Sequence, residues 1–103
     1  MGDPMRIRAT TAGDVVDVKI LMRHDMETGQ RKDAAGKVIP GHFIQNLVVK
    51  SNDKIVLDGL FGPSVSKDPY LAFKFKGGAK GDKISVTWTD NKGDTRTDQT
   101  IAS

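Results

Sequence analysis

The side chains best suited to chemistry in this chain of 103 residues are its two histidines, His24 and His42. They bracket the stretch HDMETGQRKDAAGKVIPGHF, which also holds Asp25, Glu27 and Asp33 beside Arg31, Lys32 and Lys37. Imidazoles and carboxylates together suit zinc or copper, but a site needs three or more ligands converging on one point. The spacing here matches no compact zinc pattern. The histidines are therefore read as solvated or capping groups and no metal site is assigned, with a small metal carrier using His24 and His42 as an alternative. GPSVS, at Gly62–Ser66, resembles a nucleophile elbow around Ser64. It lacks the closing glycine and the following helix, and no base is evident. KGGAKGDK is basic and glycine-rich but precedes a strand-like run, whereas a phosphate loop needs a helix N-terminus behind it. Its Lys-Gly-Asp, repeated at 92–94, is turn chemistry first. The chain has no cysteine, which excludes disulfides, thiol catalysis and cysteine metal sites. No catalytic set and no cofactor site is expected, so the chain is read as a protein that is not an enzyme.

Whatever the loop between the histidines does, strands must hold it. Apolar residues alternate with polar ones in MRIRA, VVDVKILM, YLAFKFK and KISVTWT, and weakly in TRTDQTIA. Period-two alternation marks strands with one buried face. It groups Met5, Ile7 and Ala9; Val16, Val18, Ile20 and Met22; Leu71, Phe73 and Phe75; and Ile84, Val86 and Trp88. The weak last run is expected at a sheet edge. TAGD, SND, GPSVSKDP, KGGAKGD and DNKGD punctuate the runs with turn residues. About seven short strands with frequent turns predict one all-β domain over residues 1–103, an immunoglobulin-like antiparallel sandwich.

FIQNLVVK and KIVLDGLF flank Ser51–Asp53. A three-residue hairpin connection would pair Phe43 with Phe61, Leu47 with Leu57 and Val49 with Ile55 on the inner face. The other face would pair Ile44 with Leu60, Val48 with Val56 and Asn46 with Asp58. Both faces are then largely apolar, and only one can line a two-layer core. Ile44, Val48, Val56 and Leu60 are therefore expected to meet a partner subunit. The alternative covers them with the long loop, through Val38 and Ile39. The loop itself has the length of a functional segment. It is read as a recognition loop in which Glu27, Arg31, Lys32 and Asp33 dock other proteins.

Composition narrows the partners. A net charge of +3, with sixteen basic residues dispersed among thirteen acidic ones, is mild. A nucleic-acid binder would show a basic stripe with interleaved aromatics, so no nucleic acid is expected and an acidic protein suits the charge better. No stretch approaches the roughly 20 apolar residues of a membrane span. MGDPMRIRAT carries no apolar signal region, which read alone predicts the cytosol.

Four stretches, PMRIRA, HDMETGQRKDAAGKVIPGHFIQ, GPSVSKDPYLAFKFK and GDKISVTWTDNKGD, together resemble the SoxZ family of the sulfur-oxidising Sox system. The run Met-Glu-Thr-Gly-x-Arg-Lys-Asp followed by Ile-Pro-x-x-Phe-Ile is its most specific part. Where many members carry His-Pro-Met, this chain has His24-Asp25-Met26 and lacks the rigid proline. The resemblance implies an immunoglobulin-like, non-catalytic subunit in a heterodimer with SoxY. SoxY would hold sulfur intermediates of thiosulfate oxidation on a cysteine at the end of a mobile arm, while Sox processing enzymes make transient contacts. It also implies a periplasmic location reached by co-export with SoxY, which replaces the cytosolic expectation. A stand-alone immunoglobulin-like binding module, with a polar outer sheet face, is the competing reading.

Overall fold

The computed structural model describes residues 4–62 and 65–103. Ser64 of the elbow-like stretch and the first three residues lie outside them. The described chain forms seven strands: β1 (Arg6–Ala12), β2 (Val15–Leu21), β3 (Ile44–Ser51), β4 (Lys54–Leu60), β5 (Tyr70–Lys76), β6 (Lys83–Asp90) and β7 (Thr95–Ile101). They make two antiparallel sheets, in the orders β1-β2-β5 and β4-β3-β6-β7. This is the expected immunoglobulin-like sandwich, and β7 is an edge strand.

The alternation in sequence becomes the layer between the sheets. Val16, Val18, Ile20 and Met22 from the first sheet meet Leu47, Val49, Ile84, Val86 and Trp88 from the second, all 0–1% exposed. Met5 and Ala9 join this core, and Ile7, Leu71, Phe73 and Phe75 pack on it half-buried. Burial of apolar area at roughly 25 cal/mol per Å² is the main stabilising term.

Tight turns fix the registers. Gly13 has φ 64°, as the first position of a II′ turn requires, and Ala12 pairs with Val15 across it. Between β3 and β4, Asn52 and Asp53 both take positive φ, 49° and 71°, and Ser51 pairs with Lys54. That is a two-residue I′ turn, which corrects the expected three-residue connection. The ladder then shifts between Val49–Leu57 and Lys50–Ile55, leaving Val56 without an opposite residue.

This register rearranges the expected faces. Asn46 lies opposite Leu60, and Val48 opposite Asp58; the Ile44–Leu60 and Val48–Val56 pairs do not form. A second irregularity, between Ile44 and Asn46 on the β6 side, turns Ile44 inward. Ile44 is 0% exposed and belongs to the core. Val56, at the other irregularity, also packs against the core. Neither is on the outer face. Val48 and Leu60 are, and Ile55, expected inside, replaces the other two at 53% exposure. The inner assignment of Leu47, Val49, Leu57, Phe43 and Phe61 stands. The outer face is thus less apolar than expected, with Asn46, Lys50 and Asp58 between its aliphatic residues.

Candidate functional site

The segment from β2 to β3 is a folded arm. Glu27 and His42 form an isolated antiparallel bridge with hydrogen bonds in both directions, and Lys32 bridges Val38 further out. Gly29 and Gly41 face each other between these rungs, a Cβ built on Gly29 lying 3.5 Å from Cα of Gly41. At the tip the Asp33 carboxylate accepts hydrogen bonds from the amides of Ala35 (2.9 Å) and Lys37 (3.0 Å), and Gly36 takes φ 81°. Residues 31–38 are all exposed. Val38 is 54% exposed, so it does not seal the outer sheet face.

The root of the arm is a buried polar cluster. His24 follows β2, His42 precedes β3, and Asp90 ends β6. Nε2 of His24 lies 3.1 Å from Oδ2 of Asp90, and Nε2 of His42 lies 2.7 Å from the same oxygen. The second oxygen, Oδ1, accepts the amides of Lys92 and Asp94, both at 2.9 Å, inside the β6–β7 turn. One carboxylate therefore ties the turn to both ends of the arm. Asp90 is 2% exposed. Burial would raise its carboxyl pKa, but hydrogen bonds from His24, His42 and the two amides outweigh that and hold it below the ordinary 3.8. Trp88 stands edge-on to His24, ring centroids 5.1 Å apart.

The cluster has the residue types of a metal site, with three ligand atoms within 4.8 Å of one another. The proton positions count against that use. Nδ1 of His24 accepts the amide of Met26 at 3.1 Å, so in neutral imidazole the proton is on Nε2, pointed at Asp90. A metal on Nε2 would move the proton to Nδ1, against the Met26 N–H. Met26 is held there by its own constraints. It has φ 52°, its side chain is 5% exposed, and its sulfur accepts the Ile44 amide at 3.3 Å. The geometry is that of a lock at the base of the arm.

The structure thus brings His24 and His42 together, with Asp90 in place of Asp25, Glu27 or Asp33 as their carboxylate. Asp90 lay in DNKGD, where the sequence signalled only a turn. Of the proposed docking residues, Arg31 forms a two-pronged ion pair with Glu27. The Arg31 hydrogen bond holds the Glu27 carboxyl below its usual range, against a smaller opposing effect of desolvation. Asp33 is occupied by its own turn. Lys32 is exposed, with no ion pair among the described residues.

The family model described as sulphur oxidation protein SoxZ matches residues 5–101, which include the strands, the arm and its buried root. No curated protein matches the chain.

Proposed function

This chain belongs to the SoxZ family, a family of the Sox sulfur-oxidation system, and from that premise we propose that it is the non-catalytic subunit of a SoxYZ carrier complex. SoxY bears the cysteine on which sulfur intermediates of thiosulfate oxidation are carried. This subunit forms the rigid body beneath SoxY's mobile arm, in the periplasm, after co-export with its partner. The family match over nearly the whole chain carries the reading.

The outer face of β3 and β4 supports a subunit contact there. Leu60 is 81% exposed and Ile55 53%, both on β4, with Val48 on the same face of the neighbouring β3. Aliphatic residues of this kind are covered in the fully buried centre of an interface. The arm tip, 31–38, stands clear of the sandwich and is suited to transient contacts with processing enzymes. Charges there act on encounter rate and selectivity more than on affinity. Co-expression with a candidate SoxY, followed by mass measurement of the purified species, tests the reading. A one-to-one heterodimer is expected, and recovery of the two chains only as separate species would refute it.

A further inference from the structure

The outward face of the three-stranded sheet carries an unbalanced charge. Arg6, Arg8, Lys19, Lys74 and Lys76 are all exposed on it. Asp17 is the one carboxylate in the same rows, opposite Thr10 and Lys74. The excess on this one face is larger than the net +3 of the whole chain. Among the described residues none of the five cations is in an ion pair. Arg8 stands directly opposite Lys19. Like charges opposite one another weaken a sheet, so this arrangement works against the fold.

We infer that this face docks an acidic protein surface. Three features select that occupant. Strands lie about 4.8 Å apart and side chains stand roughly perpendicular to the sheet, so the cations are spread and do not converge on one small anion. Asp17 within the patch would repel a phosphate backbone or an anionic membrane, but it matches a lysine or arginine in a mixed-charge protein interface. The row Arg6–Leu21–Tyr70, with Tyr70 62% exposed, lines an open depression with Arg8 and Lys19. Tyrosine and arginine are the types that anchor protein interfaces. The inference goes beyond the carrier-subunit reading and does not depend on it, because the proposed SoxY contact lies on the other sheet.

A glutamate-rich random copolymer of glutamate and lysine, titrated into the isotope-labelled full chain and followed by amide shifts, is the probe. Shifts are expected on β1, β2 and β5, with affinity falling steeply as salt rises. Arg8→Glu and Lys19→Glu should each weaken binding about tenfold. Each should also melt at or above the wild-type temperature, since each turns a repulsive cross-strand pair into an attractive one. The inference is overturned by wild-type binding in both variants, by shifts centred on lysines elsewhere, or by loss of structure in both. It is equally overturned if duplex DNA or phosphatidylserine vesicles bind this face more tightly than the copolymer.

Discussion

At the scale of single residues, Asp90 has the most consequence per atom. Its two oxygens accept two imidazole and two amide hydrogen bonds, and its side chain is fully buried although the His42 ring reaches solvent. Asp90→Asn keeps the shape but removes the charge and turns an N–H group toward other donors. It should cost about 2–4 kcal/mol in denaturant unfolding. The pH dependence has a definite sign. The folded pKa lies below the ordinary 3.8, so the stabilisation is complete above that pH and is lost as pH falls through the lowered folded value. The Asn variant should therefore lose less stability than wild type when both are acidified through that range. An equal loss in the two proteins would mean that the Asp90 charge does not stabilise the fold.

At the scale of elements, turns set registers and the arm sets reach. Asp53 holds φ 71° at the second position of a I′ turn, where glycine is favoured. Asp53→Gly should raise stability by about 0.5–1 kcal/mol, measured by thermal unfolding. A decrease would argue that the Asp53 side chain stabilises the hairpin in a way its backbone does not reveal. The arm can be removed at its neck, where Gly29 and Gly41 come together. Replacing residues 30–40 by a two-residue glycine link leaves the His24–Asp90–His42 cluster intact. The melting temperature should change little, because shortening a loop alters closure entropy by only about 0.6 kcal/mol per halving. Turnover of the carrier by at least one processing enzyme should fall about tenfold, the low end of what charge steering supplies. Unchanged turnover with every enzyme would remove the docking role.

At the scale of the whole molecule, the two outer faces differ in kind. One is basic and polar, while the other exposes aliphatic side chains along β3 and β4. Leu60→Asp tests the second at a site with little structural cost, since Leu60 is 81% exposed on an edge strand. The variant should fold with wild-type stability and lose about 2 kcal/mol or more of SoxY affinity, as expected for an anchor at an interface centre. Isothermal titration would show it, and unaltered affinity would move the contact to another surface. The basic face lies on the opposite sheet from Leu60, so the two proposed contacts would not compete for the same surface.

The sequence by itself determined the strands, the core and the class of fold, because period-two alternation is a local property and one buried face per strand satisfies it. Val16, Val18, Ile20, Ile84, Val86 and Trp88 were legible for that reason. It also carried the family resemblance, through the Met-Glu-Thr-Gly run. Tertiary structure decided what depends on register and on distant pairs. A two-residue turn and two ladder irregularities sent Ile44 and Val56 inward and Ile55 outward, and a shift by one residue is enough to exchange faces in a period-two element. The carboxylate between His24 and His42 came from Asp90, separated from them by 66 and 48 residues. No local spacing rule reaches that far; the pairing of β6 with β3 brings His42 to Asp90, and the packing of the two sheets brings His24.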